Sequence, residues 1–268
     1  MDDIVGLVPA AGGGTRLYPF SKAIPKEMYP ILGKAAIEHC IETLREGGVR
    51  RIFVVVGHQK GALMDYLGNG SNFGVTTAYI FQDERRGIGH AILQAKTWID
   101  RPFAVLLGDS FIKPKKEIAD IIALHRREKP IASLLVFQVD SPEGYGVVSM
   151  DRQGRVADLV EKPSAAEAKR LATDGRYLAI TGVYVFDPRI FEYIEKTPPG
   201  ANGEIQITDA IGLAVKAGEK VFALQLKGRY LDIGKWKTVL SIEKELAGGM
   251  DVEAVVRERE ALMRRMQE

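Results

Sequence analysis

Val5-Gly-Leu-Val-Pro-Ala-Ala-Gly-Gly-Gly-Thr-Arg-Leu-Tyr-Pro-Phe-Ser-Lys-Ala-Ile-Pro-Lys-Glu-Met-Tyr-Pro-Ile-Leu-Gly33 is the stretch whose reading decides the fold. The apolar run Ile4 to Val8 reads as a buried strand that stops at Pro9 and opens into a loop holding Gly12, Gly13 and Gly14. Glycine has no Cβ and takes positive φ, so a ligand can come close to the backbone N–H groups there. Successive N–H groups turned the same way form a cradle for an anion. Arg16 and Lys26 follow on the same segment, which Pro19 and Pro25 stiffen. A strand, a glycine loop and two placed cations suit a polyphosphate.

The common phosphate loops fit less well. A Walker loop ends in Gly-Lys-Ser/Thr, whereas Gly14 is followed by Thr15-Arg16. The dinucleotide pattern G-x-G-x-x-G could start at Gly12-x-Gly14, but its third glycine falls on Leu17. The ordered set Pro9-Ala10-Ala11-Gly12-x-Gly14-Thr15-Arg16, with Lys22-Ala-Ile-Pro-Lys-Glu-Met28 behind it, instead resembles the signature of the sugar-1-phosphate nucleotidyltransferases. Within that family the wording is closest to the UTP–glucose-1-phosphate uridylyltransferase branch. The thymidylyltransferase branch more often has Ala-Gly-Gly where this chain has Ala10-Ala11-Gly12. The resemblance implies that Ala10, Ala11, Gly12, Gly14 and Thr15 bind the nucleotide, with Arg16 and Lys26 as catalytic cations on its triphosphate.

At 268 residues, with 46% hydrophobic and 27% charged, the chain has the composition of an ordinary soluble globular protein and can bury a full core. A formal net charge of +2 gives no electrostatic case for nucleic acid or an anionic membrane. The single cysteine, Cys40, excludes an intrachain disulfide. The opening Met1-Asp2-Asp3 lacks the basic flank of a signal peptide. No run approaches the ~18 apolar residues of a membrane span. A cytoplasmic enzyme is the expectation.

Downstream, strands and helices alternate. Strands are expected at Arg51 to Val56, Val75 to Phe81 and Phe103 to Leu107, and helices at Ala35 to Glu46, Ala62 to Leu67 and Lys115 to Arg127. That alternation argues a parallel, doubly wound sheet. Cys40 falls on the apolar face of its helix with Ile37, Ile41 and Leu44 and reads as a core residue. His125, beside Arg126-Arg127, reads as a solvated helix end, and His90 as a helix N-terminal residue without chemistry. From Ile131 the texture changes. A strand to Val139 is followed by Val147 to Met150 and Val156 to Glu161, which flank the hairpin turn Asp151-Arg152-Gln153-Gly154. Further strands are expected at Ala179 to Phe186 and Val221 to Leu226. The fold class is therefore α/β, with a mixed, mostly parallel central sheet flanked by helices, and the resemblance implies that it is a Rossmann-like nucleotidyltransferase fold. Residues 1–240 form the expected domain, with a nucleotide-binding half (1–130), a sugar-phosphate-binding half (131–240) and a helical extension (241–268). Two C-terminal helices, 235–247 and 252–267, close the chain. The stripe Val252, Val255, Val256, Leu262 and Met263 on the last one could be an oligomer contact, and a homo-oligomer is expected.

The remaining site residues come from the resemblance. Gln82 and Gly87 match its base-recognition positions. Asp109 closes the strand Phe103 to Leu107, where α/β sheets place ligand chemistry, and with Asp232 it matches the two metal positions for Mg2+. Some members read Asp-Asp or Asp-Asn where this chain has Asp109-Ser110. Tyr145, Gly146, Glu161, Lys162 and Gly182 match the sugar-phosphate site, with Lys162 on the attacking phosphate; Thr208 and Asp209 read as helix-start residues, and Glu204 could approach the sugar. The implied reaction is uridylyl transfer from UTP to glucose 1-phosphate. The same chemistry with dTTP or another sugar stays open, as does a non-catalytic nucleotide-sugar-binding subunit.

Overall fold

The computed structural model describes residues 4–172, 175–200 and 203–234, and beyond them 236, 239, 240, 253, 254, 257, 260, 261 and 264. The helices expected over 235–247 and 252–267 lie outside the described residues apart from those isolated positions, and so does the whole stripe from Val252 to Met263. Strand β1 (Val5–Pro9) runs through the glycine loop to α1 (Phe20–Ala23) and a small ribbon of β2 (Pro30–Ile31) and β3 (Lys34–Ala35). Next come α2 (Ala36–Glu46), β4 (Arg51–Val56), α3 (Gly61–Leu67), β5 (Thr76–Phe81), α4 (Ile88–Leu93) and β6 (Phe103–Leu106). They are followed by β7 (Ser110–Lys113), α5 (Glu117–Glu128), β8 (Ala132–Val139), β9 (Gly146–Met150), β10 (Val156–Glu161) and α6 (Ala165–Leu171). The chain continues with β11 (Tyr177–Phe186), α7 (Ile190–Lys196), α8 (Ile207–Lys216), β12 (Val221–Gln225) and β13 (Arg229–Asp232).

Among the described residues, nine strands form the central sheet. β5, β4, β1 and β6 are neighbours in that order and pair in parallel, as the alternation with helices requires. β11 then enters antiparallel to β6 and becomes the hub of the second half. Val183 to Phe186 pair with β6, Leu178 and Ala179 pair with β9 on the same edge, and β8 runs along the other edge. β10 extends the sheet beyond β9, and β12 lies parallel to β8. The sheet is thus parallel over β5, β4, β1 and β6 and mixed around β11 in the second half.

Side chains alternate between the two faces with the period of two that a strand imposes. Phe103 and Val105 of β6 join one apolar cluster, with residues of α4, α7 and α8, while Ala104 and Leu106 join the other, with residues of α2, α3 and α5. Helix α2 shows why the pattern works. Ile37, Cys40, Ile41 and Leu44 recur at helical spacing and are all fully buried, and the pair Gly47-Gly48 stops the helix. Cys40 is a core residue, as its spacing indicates, and burial pushes its thiol far up from the ordinary value.

His125 is not the solvated helix end that its basic neighbours suggested. It is buried, its Nδ1 lies 3.0 Å from Ser133 Oγ on β8, and burial pulls it down to about 4. The ring lies one turn beyond Ile121 and Ile122, so it shares their sheet-facing side.

Candidate functional site

A cleft of about 680 Å³ opens at the C-terminal ends of β1, β5 and β6, where a parallel sheet leaves its loops free to hold a ligand. Of the residues singled out from the sequence, Ala11, Gly12, Gly14, Thr15, Arg16, Lys26, Gln82, Gly87, Asp109, Tyr145, Gly146, Glu161, Lys162, Gly182 and Asp232 all line it. Ala10 does not; its methyl is packed into the core beside Val8 and Val56. Glu27, Arg85, Thr181, Tyr184, Gln206, Thr208 and Tyr230 line the cleft too. The sequence reading gave Glu27, Arg85, Gln206 and Tyr230 no place in the site. Thr208, expected as a helix-start residue, sits in the first turn of α8 and turns toward the cleft. Glu204, which the resemblance brought near the sugar, is on the cleft wall.

The glycine loop ends at Gly14 with φ 65°, the left-handed conformation that glycine adopts without strain. Its carbonyl accepts from Ser21 Oγ at 2.6 Å, and a turn at Thr15–Leu17 follows. Leu17 is fully buried in a small cluster with Ile31, Phe111 and Ile233, which fixes the turn that carries Arg16. The half-exposed guanidinium of Arg16 reaches to 3.7 Å from Asp232 Oδ2. Lys26 Nζ donates to Asp109 Oδ2 at 2.5 Å, with both side chains largely out of solvent. Burial alone would pull Lys26 down, but Asp109, Glu27 and Asp232 outweigh it and hold the ammonium above its ordinary value. Burial pushes Asp109 the other way, and Lys26 and Arg16 keep it below the usual carboxylate range. Both groups are therefore charged at neutral pH.

Beneath this pair lies a second one. Lys60, at the start of α3, donates to Glu27 Oε2 at 2.6 Å and to the Gly12 carbonyl at 3.0 Å. Lys60 and Glu27 are almost wholly buried, and Glu27 Oε1 has no hydrogen-bond partner among the described residues. One ammonium thus ties the glycine loop to the Lys26 segment.

Asp109 and Asp232, 123 residues apart, meet because β7 and β13 form a two-stranded ribbon with Asp232 opposite Ser110. Ile233 N donates to the Asp109 carbonyl at 3.0 Å, and Gly234 N donates to Asp232 Oδ1 at 2.8 Å. A Cβ at Gly234 would lie 2.9 Å from Asp232 Oδ1 and 3.0 Å from Asp109 Oδ2, so the glycine leaves the space into which both carboxylates turn. Two hard oxygen donors around such a space fit a divalent cation of the Mg2+ type. No group of three or more His, Cys, Asp or Glu that could hold a metal occurs among the described residues.

The opposite wall is built differently. β11 passes from β6 to β9 at Ile180 to Gly182, where it advances four residues while β8 advances two. Thr181 Oγ1 fills the gap in the ladder, donating to the Leu135 carbonyl at 2.8 Å and accepting from Val183 N at 3.1 Å. Gly182 is required by close approach, since a Cβ there would lie 2.0 Å from Ser110 Oγ. Glu161 faces Gly146 across the β9–β10 ladder. Lys162 is left-handed at φ 45°, its N–H donates to the Tyr145 carbonyl at 3.0 Å, and its Nζ lies 3.5 Å from Glu161 Oε1. That strained backbone turns the chain off β10 at the cleft rim. Gln82 ends β5 almost fully buried, and its amide nitrogen lies 2.9 Å from His90 Nδ1. His90 is therefore not a bare helix N-terminus: it holds the amide of Gln82.

A glycine loop with two cations and two carboxylates at the sheet's C-terminal edge marks an α/β protein with a polar ligand cleft. The nucleotidyl transferase family matches residues 5–248, and the chain belongs to that family. It is 37% identical over 262 residues to a UTP–glucose-1-phosphate uridylyltransferase of Bacillus subtilis, covering 85% of this chain and 86% of that one. It is 30% identical over 239 residues to a glucose-1-phosphate thymidylyltransferase of Streptomyces griseus, covering 89% of this chain and 64% of the relative. Of another curated relative it spans about half, 53%. A solved structure of UDP-glucose pyrophosphorylase complexed with UDP-glucose superposes with a TM-score of 0.83 at 31% identity, over 93% of this chain and all of that one. No helix among the described residues is long and apolar enough to cross a membrane.

Proposed function

We propose that this chain transfers a uridylyl group from UTP to glucose 1-phosphate, giving UDP-glucose and pyrophosphate. The observation that carries this reading is the convergence of Lys26–Asp109 and Arg16–Asp232 at one edge of the cleft, with Lys162 on its rim. The choice of uridylyl and glucose rests on the relatives covered over most of their length, the Bacillus subtilis uridylyltransferase and the UDP-glucose pyrophosphorylase structure.

The chemistry needs no protein nucleophile. An oxygen of the sugar phosphate forms a new bond to the α-phosphorus, and the α–β bridging bond breaks with its electron pair leaving on pyrophosphate. Two polyanions must meet, and unit charges ~4 Å apart interact by about 4 kcal/mol at an effective dielectric of ~20. The protein's task is therefore positioning and charge neutralisation. An ammonium has three donors, so Lys26 can keep its bond to Asp109 and still reach the triphosphate. Arg16 lies beside it for the phosphates, and the glycine-loop N–H groups follow the backbone of the same ligand. Lys162 holds the sugar phosphate, with Tyr145, Gly146, Glu161 and Gly182 along the sugar. Gln82 and Gly87 face the base. Asp109 and Asp232 would hold Mg2+, which when bound neutralises charge on the reacting phosphate. We read the enzyme as cytoplasmic and as a homo-oligomer.

The test is pyrophosphate release with Mg2+ and glucose 1-phosphate, offering UTP, dTTP, CTP, ATP and GTP separately. Preference for UTP supports the proposal. Preference for dTTP assigns the protein to thymidylyl transfer, and silence with every nucleotide and every sugar phosphate makes it a binding subunit.

A further inference from the structure

Four cations surround the glycine loop, and three of them face a carboxylate. Arg16 lies 3.7 Å from Asp232, Lys26 2.5 Å from Asp109 and Lys60 2.6 Å from Glu27. The fourth, Arg85, sits in the loop between β5 and α4 and lines the same cleft. Among the described residues its side chain makes no hydrogen bond and no ion pair. The two acids beside it are engaged elsewhere, Asp83 with His58 at 2.9 Å and Glu84 with Arg86 at 3.9 Å. Lys60 and Arg85 repel each other. Arg85 also lies directly on the glycine loop: a Cβ at Gly13 would fall 2.9 Å from its Nη1.

An exposed arginine elsewhere on the surface would need no explanation. A guanidinium held over the glycine loop, among three other cations, is a different case. It is the charge that the protein itself leaves unbalanced, and its planar fork suits a phosphate better than a point charge does.

We propose that Arg85 is a further phosphate-binding residue, closing over the distal phosphates of the triphosphate and holding the pyrophosphate group as it departs. Arg16 and Lys26 approach from the side of Asp109 and Asp232, whereas Arg85 reaches the loop from its Gly13 face. The assignment rests on the nucleotidyl-transfer reading above. It gives Arg85 no part in recognising the sugar phosphate, whose residues lie on the β9–β10 wall.

The test compares wild type with Arg85→Ala and Arg85→Lys. Calorimetric titration with inorganic pyrophosphate, which needs no turnover, should show binding weakened about tenfold or more in Arg85→Ala, the scale of one lost charge-assisted hydrogen bond. Arg85→Lys should fall between the two. In steady state the KM for pyrophosphate in the reverse direction and for the nucleotide in the forward direction should rise together, with the KM for glucose 1-phosphate unchanged. Unaltered pyrophosphate binding in Arg85→Ala overturns the assignment, as does an equal loss for glucose 1-phosphate. If wild type turns over no nucleotide at all, the functional reading above fails instead. A wild type that is active while Arg85→Ala matches it in both assays sinks the Arg85 assignment alone.

Discussion

The two walls of the cleft place their charge in different ways. On the glycine-loop side the ammonium groups of Lys26 and Lys60 are withdrawn from solvent, each on a carboxylate, and Lys60 also grips the Gly12 carbonyl. On the β9–β10–β11 side Lys162 is 56% exposed and 3.5 Å from Glu161, and the surface is otherwise made of Tyr145, Tyr184, Thr208 and close-packed backbone. Burying a charged group costs several kcal/mol unless it is paired, and a pair once buried holds its partners in one geometry. The first wall is thus held in one geometry by buried ion pairs, whereas the second presents close-packed backbone and an exposed ammonium beside Glu161. A substitution on the first wall should disturb stability and turnover together. One on the second should be felt mainly in substrate affinity.

The strongest way to break that contrast is at Lys26. Lys26→Met should lower kcat by roughly 10²–10³-fold, the size of effect seen when one positioned donor to a developing charge is removed, measured as pyrophosphate release. An effect confined to KM would mean that Lys26 acts in binding only. Lys60→Met comes next and tests rigidity itself. It leaves Glu27 buried with neither oxygen paired among the described residues, which should cost about 3–5 kcal/mol in urea denaturation. Adding Glu27→Leu should recover most of that loss, because it removes the stranded charge. If Lys60→Met unfolds at the wild-type urea concentration, the pair is not what stiffens this wall.

On the second wall the expected effect is smaller and falls on one substrate. Lys162→Ala should raise the KM for glucose 1-phosphate by about tenfold, leaving the nucleotide KM and the melting temperature near wild type. A fall in melting temperature would show that Lys162, despite its exposure, is also structural. The last effect is one of pH. Burial pulls His39 and His125 both down to about 4, so the folded protein holds them neutral. Below the ordinary value of about 6.5 the unfolded chain takes up protons that the folded one refuses. Stability is therefore complete above that pH and should fall by at most about 1.4 kcal/mol per pH unit for each histidine as pH drops toward 4. The urea midpoint between pH 7 and pH 5 measures it, and His125→Gln should flatten the slope.

What could be read from the sequence follows the same division. The glycine loop with Arg16 and Lys26 is one local segment, so its order along the chain already states its geometry, and the strands Arg51 to Val56 and Val156 to Glu161 declare themselves by unbroken apolar or alternating runs. The pairing of Lys60 with Glu27 bridges 33 residues and follows no helical or strand period, so nothing local announces it. His125 was misjudged because Arg126 and Arg127 beside it are solvent-facing, yet a helix turns each successive residue to a new side. The β7–β13 ribbon escaped notice for a similar reason. Four residues at either end are too short to show a period, and only their pairing explains why Asp109 and Asp232 meet.

That ribbon also makes the site modular. Four ladder pairs and the Ile233–Asp109 bond join the segment that carries Asp232 to the one that carries Asp109. The loops between β8 and β9 and between α7 and α8, which border the second wall, can therefore be lengthened or exchanged without moving the aspartates. On the function proposed above, grafting the second wall would re-cut acceptor specificity while the clip between residues 109 and 234 stays shut.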